Sequence, residues 1–201
     1  MLNSDDRDAI AEAVREAERQ TSGEIVVVVD RAAGSYLAVP VLALALSLFV
    51  PWPFLLITNL SASSIFLAQL LAAALLLATL LWYGRGGRFV PGFVKRRQAH
   101  ETALREFTAR GLTLTRGRTG VLLYVAVQER YAEVVADAGI SARVDGEAWQ
   151  RIVEPLLAAA AQDTLREGLI AAVRDVGTVL AAHAPPAADD VDELPNKVVI
   201  L

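Results

Sequence analysis

Cysteine is absent from the 201 residues, histidine occurs twice and methionine once. Disulfides, thiolate metal sites and a cysteine-phosphatase mechanism are thereby excluded, while the redox compartment stays open. A local absence says more. Positions 32–84 hold no Asp, Glu, Lys, Arg or His, in a chain that is 21% charged overall. A charged side chain at mid-bilayer costs about 2.5–3.5 kcal/mol on insertion scales, and a spanning helix needs about 20 mostly apolar residues. The window supplies two such runs, 36–56 and 65–82, joined by the uncharged polar link at 57–64. A hairpin buried in a larger soluble core is the alternative, but too few residues remain to wrap two such helices. The expectation is a transmembrane hairpin with a tight turn.

An apolar run is also missing from the first 20 residues, which are acidic and amphipathic, so no signal peptide is expected there. Residues 1–31 are therefore expected to stay on the side where they are made. Arg31 precedes the window, and Arg85, Arg88, Lys95, Arg96 and Arg97 follow it. Basic residues of short loops stay cytoplasmic, so both termini are expected in the cytoplasm of a bacterial inner membrane, with the 58–64 turn outside. Tyr36, Trp82 and Tyr83 suit the inner interface, and Trp52, between Pro51 and Pro53, the outer one. Without the five basic residues of 85–97, the rest carries 14 Lys and Arg against 23 Asp and Glu, a balance of −9. Nucleic acid is thus not an expected partner, because a phosphate backbone needs a broad cationic face. The collar instead suits anionic lipid head groups, making the bilayer the first expected partner.

Outside the window the chain alternates helices and strands. The stretch 5–20 reads as a helix capped by Ser4, with Ile10, Ala13, Val14 and Ala17 as its apolar stripe. Residues 24–30, a valine run, read as a strand buried on both faces. A helix is expected over 98–110, with Ala99, Ala103, Leu104 and Phe107 inward and Gly111 as its stop. A polar loop at 113–120 leads to strands at 121–127 and 131–136, which form a hairpin. Asp145 is placed to cap a third helix, which Pro155 should kink or split, and Asp163 to cap a fourth carrying Leu165, Leu169, Val173, Val176 and Leu180. An acidic tail and a final Val-Val-Ile-Leu follow, suited to an edge strand or to the membrane surface. The expected fold class is α/β, a mixed sheet flanked by helices. The segments are 1–31 for the first part of the domain, 36–83 for the hairpin, 84–97 for an irregular basic collar, 98–184 for the rest of the domain and 185–201 for the tail. If the crossover is of the usual kind, strands one and two are parallel.

The order of motifs resembles the TPM domain family. It runs through TSGEIVVVV at 21–29, TGVLLYVA at 119–126, Glu129-Arg-Tyr, VVADAGI at 134–140, WQRIV at 149–153, GLIAAV at 168–173 and Glu193-Leu-Pro-Asn. The resemblance covers nearly all of the chain outside the window, and is greatest to a bacterial branch with a membrane hairpin inserted after the first strand. It implies a compact α/β sandwich, acid-phosphatase activity in some members and calcium binding in some. The phosphatase-linked plant members are lumenal, whereas the charge bias here implies a cytoplasmic domain.

Parallel strands one and two would bring Thr21, Ser22, Glu24, Arg116, Arg118 and Asp137 to one rim of the sheet. Glu24, Asp137 and Asp145 are the candidate metal ligands, since hard cations take carboxylate oxygens. Arg116 and Arg118 are the candidate anion-binding pair. Each has an ordinary alternative: Asp137 as a turn or cap residue, Asp145 as a cap, the arginines as a solvated loop. No cofactor is demanded, and a divalent cation such as calcium is the one the resemblance allows. His-Glu-x-x-His, Gly-x-Ser-x-Gly, Walker and dinucleotide fingerprints are all lacking. The leading expectation is a non-enzymatic, membrane-tethered assembly, repair or modulatory partner of another membrane protein. The alternative is a metal-dependent phosphomonoester hydrolase centred on Asp137. Gln69, within the second run, can hydrogen-bond between helices of a homo-oligomer.

Overall fold

The structure is a computed structural model that describes residues 2–34, 45, 47, 49, 53, 61–83, 90–186 and 198–201, the side chains of 79–83 excepted. The chain divides into two compact units, Met1–Ala33 with Lys95–Leu201, and Gly34–Val94.

The larger unit is built on a four-stranded mixed sheet. Helix α1 (Ser4–Glu18) leads to β1 (Ile25–Asp30), whose six residues are all buried. β1 pairs in parallel with β2 (Val121–Ala126), from Ile25 opposite Val121 to Asp30 opposite Ala126. β2 pairs antiparallel with β3 (Tyr131–Ala136), and the closing strand β4 (Val198–Ile200) lies parallel to β1 on its other side. The order β3-β2-β1-β4 thus puts the two most buried strands in the middle. The C-terminal Val-Val-Ile is an edge strand, the first of its two expected places.

Strand alternation sends side chains to two cores. Ile25, Val27, Val29, Val121, Leu123 and Val125 pack under α1, α5 (Gly146–Ala161) and α6 (Leu165–His183). Val26, Val28, Leu122, Tyr124 and Ala126 pack under α3 (Gly92–Ala109) and the 3-10 turn at Leu112–Leu114. The expected α1 stripe of Ile10, Ala13, Val14 and Ala17 is buried as read from the sequence. Close helix approaches depend on missing side chains. A Cβ on Gly177 of α6 would lie 2.7 Å from the Ala17 Cβ of α1, and one on Gly168 2.5 Å from that of Ala159.

Several local expectations are corrected. Asn3, not Ser4, caps α1: its side chain accepts from the Asp6 N–H (2.7 Å) and the Asp6 carboxylate accepts from the Asn3 N–H (2.9 Å). Thr164, not Asp163, is the cap residue of α6, because Asp163 takes the left-handed turn between the helices at φ 58°. Pro155 neither splits nor ends α5. Arg151 and Pro155 are exposed, so water can serve the carbonyl that the proline leaves without a donor. α3 starts at Gly92, so the second half of the expected irregular collar is helical, with Lys95, Arg96 and Arg97 in its first turns. On α3, Thr102 is buried and Leu104 is 43% exposed. The stripe set by Ala99, Ala103 and Phe107 includes the i+3 position, while Leu104 lies around the helix from it. A short helix, α4 (Ala138–Ser141), follows β3.

In the smaller unit, α2 (Ala62–Tyr83) carries no charged residue. The Ser61 hydroxyl accepts from the Ser64 N–H at its start. Phe66, Leu67, Leu70, Leu71 and Leu75 are exposed. Among the described residues no helix is long and apolar enough to cross a membrane, so the expected transmembrane hairpin finds no support there. Of the expected interface residues, Tyr36, Trp52, Arg85 and Arg88, and the side chains of Trp82 and Tyr83, lie outside the described residues. So does almost all of 36–56.

Candidate functional site

The start of β1, the start of β2 and the end of β3 meet at one rim, as the parallel pairing requires. Val121 N donates to Glu24 O (2.8 Å) and Asp137 N to Gly120 O (2.9 Å). Arg118 and Asp137 are brought together as an ion pair. Arg118 Nη2 donates to Asp137 Oδ1 (2.8 Å) and Nε to Oδ2 (3.0 Å). Asp137 Oδ1 also accepts from the Ala138 N–H at 2.7 Å, capping α4. The Arg118 hydrogen bonds hold the Asp137 carboxyl below the usual carboxylate range; burial opposes this and the Ala138 N–H adds to it. Arg118 sits at φ 51°, and its carbonyl accepts from the Gly139 N–H at 3.0 Å. A Cβ on Gly139 would come within 2.4 Å of the Gly117 carbonyl oxygen and 2.6 Å of that of Arg118. Glycine is thus needed for the 115–119 loop to lie against α4.

The other rim residues are tied into structure. The Thr21 hydroxyl donates to the Ala184 carbonyl (2.6 Å), and the Thr119 hydroxyl donates to the Ser22 carbonyl (2.9 Å). Glu24 is buried at the entrance to β1. Asp145 is exposed at the start of α5, without the expected side-chain cap. Among the described residues no three of His, Asp and Glu stand together as a metal-holding group, so Glu24, Asp137 and Asp145 are not gathered into one. Of the proposed anion pair, Arg118 is committed to Asp137 and Arg116 is exposed.

A second constellation, at the opposite end of the strands, was not foreseen. Asp30 ends β1 only 6% exposed, and its Oδ2 accepts from the Tyr124 hydroxyl at 3.1 Å. Its Oδ1 accepts from the Ala32 N–H at 3.0 Å. Burial raises the Asp30 pKa above the usual value; the two hydrogen bonds oppose that, and the charges of Glu129 and Glu106 add to it. Tyr124 is raised by the same burial and by Asp30. Alongside, Glu133 of β3 takes His100 Nδ1 (2.9 Å) and the Tyr131 hydroxyl (2.8 Å). The signal available in the sequence was a lone carboxylate closing a valine strand and a lone tyrosine inside a buried one.

Comparison with known proteins agrees with this architecture. A family model, the TPM domain, matches residues 90–179. That range takes in α3, β2, β3 and most of the α5–α6 pair, while β1 joins it in space through the sheet. The NMR structure of BA42 protein from the psychrophilic bacterium Bizionia argentinensis is similar in fold, with TM-score 0.62 and 21% identity over 100% of this chain and 96% of that one. No curated protein matches. The chain is an α/β protein carrying a TPM domain match, its sheet completed by an N-terminal strand.

Proposed function

We propose that this protein is a membrane-tethered TPM domain that acts by binding another membrane protein rather than by hydrolysis. The observation that carries the reading is the state of Asp137. The carboxylate expected to lead a metal-dependent phosphatase is occupied by Arg118 and by the first N–H of α4. A residue so engaged organises a loop; a metal ligand or nucleophile needs its oxygens available.

Tethering is supported by the charge-free stretch 32–84 and by the exposed leucines and phenylalanine of α2. In this reading 36–56 and 65–82 cross the inner membrane, the basic residues at 85–97 stay cytoplasmic, and the domain works beside the bilayer. Pairs of single cysteines introduced into this cysteine-free chain test it. Labels at Ser4 and Ala187 should share the cytoplasmic face, and one at Ser61 the outer face; termini on opposite faces refute the hairpin. Purified full-length protein should leave p-nitrophenyl phosphate intact with or without calcium or magnesium. Turnover that Asp137→Asn abolishes would establish a hydrolase in its place.

A further inference from the structure

The larger unit contains a cavity of about 520 Å³ that no role assigned so far uses. That volume falls within the range of small-molecule sites, roughly 300–1,000 Å³. It opens at the carboxyl ends of β1 and β4, where Val29 and Ile200 form part of its wall. Open α/β sheets place ligands at that edge, because the chain diverges there and leaves a crevice. Leu2 and Leu165 extend the apolar wall, and with them the first turns of α1 and α6 reach the cavity. Two long helices thus present their positive ends to one space.

Three guanidiniums, those of Arg7, Arg31 and Arg166, stand among the lining residues. Arg7 Nε donates to the Asn3 carbonyl (3.4 Å), and Arg166 reaches Asp6 at 3.4 Å and Glu167 at 3.7 Å. The Arg31 backbone is fixed from both sides, its N–H on Leu201 O (3.3 Å) and its carbonyl on Gln128 N (3.1 Å). Three carboxylates, Asp6, Asp163 and Glu167, balance the arginines. Asp6 is already committed to the α1 capping box. The lining is therefore close to neutral, with three exposed guanidiniums and two helix starts beside an apolar wall.

The geometry points to a binding site for a small amphiphilic monoanion, an apolar body carrying one carboxylate. The apolar wall takes the body, and a guanidinium with a helix N-terminus takes the head. A monoanion suits the balanced lining better than a dianionic phosphate, which would bring twice the charge to a site holding three carboxylates of its own. The inference is independent of the membrane reading, since all its residues belong to the sheet unit.

The test uses the full chain in nanodiscs of zwitterionic lipid, with 4-phenylbutanoate as the probe. Calorimetry measures binding, and hydrogen exchange locates it. Saturable binding is expected, at least tenfold tighter than that of the neutral isostere 4-phenylbutan-1-ol, with protection rising at the starts of α1 and α6. Arg31→Gln and Arg7→Gln should each weaken binding at least fivefold while leaving exchange in β1 and β2 unchanged. Ile200→Trp, which fills the cavity from the edge strand, should abolish it. No saturable binding, equal binding of the alcohol, protection confined to other elements, or equal uptake by empty nanodiscs would overturn the proposal. Tighter binding of 3-phenylpropyl phosphate than of the carboxylate would overturn the choice of a monoanion.

Discussion

The buried Asp30–Tyr124 pair sets a prediction that can be worked through. Tyr124→Phe removes the hydroxyl that donates at 3.1 Å to Asp30 Oδ2 and leaves that oxygen inside the sheet. Stranding a buried polar group costs about 1–3 kcal/mol, and more when it is charged. Each 1.4 kcal/mol is tenfold in an equilibrium. Slow amides of β1 and β2, exchanging by global opening, should therefore exchange about 5- to 150-fold faster in the variant. Asp30→Asn should behave differently. Burial and the charges of Glu106 and Glu129 disfavour ionised Asp30, so the amide should be neutral or stabilising at pH 7.

The sign with pH separates the two carboxylates. Asp30 has a raised folded pKa, so the folded state holds its proton longer and stability falls as pH rises from the unfolded value to the folded one. Asp137 has a lowered folded pKa, so its contribution is present above the unfolded value and is lost as pH falls through the folded one. On acidification from pH 7, stability should first rise and then fall. Asp30→Asn should erase only the rise, and Asp137→Asn should reduce the later fall. Exchange rates corrected for intrinsic chemistry measure this in the full chain. An Asp30→Asn profile that keeps the rise, or a Tyr124→Phe variant that exchanges like wild type, would refute the reasoning.

Two further substitutions follow. Gly139→Ala should lower stability by about 1–3 kcal/mol, because its methyl meets two backbone oxygens that cannot turn aside; exchange at Gly139 and Ile140 should accelerate before that of β1. Asn3→Ala removes the capping box of α1 and should cost about 1 kcal/mol, read as faster exchange in the first turn of α1 and a lower melting temperature.

The two buried strands were legible because a short β-branched run with no polar interruption has few other places to go. Parallel pairing followed from the long crossover between them. The stripe of α1 was legible because its polar face is densely charged. What escaped the sequence was decided by neighbours distant in the chain. Leu104 looked apolar enough to face the sheet, but the register of α3 buries Thr102, whose hydroxyl finds the Ala33 carbonyl at 2.9 Å. Of the expected rim, Arg118 and Asp137 do come together, but the expectation was less informative about chemistry. Strand order alone brought Arg118 towards Asp137, yet it could not say that the guanidinium would satisfy the carboxylate. Asp30 and Tyr124 lie 94 positions apart, and no local pattern links them.

The position of β1 has a consequence for synthesis. Its hydrogen-bonding neighbours, β2 and β4, lie at 121–126 and 198–200, so the strand leaves the ribosome about 90 residues before the first of them exists. At roughly 5–20 residues per second that is a wait of several seconds or more. Throughout it, an uncharged Ile-Val-Val-Val-Val ribbon has two open sides and a composition prone to self-association. Until α3 emerges to cover the Val26 and Val28 face, α1, with its acidic outer face, is the sheet-packing helix on hand to shield it. The birth order of this chain therefore makes its first helix a nascent-state guardian for the strand on which the whole sheet is later assembled.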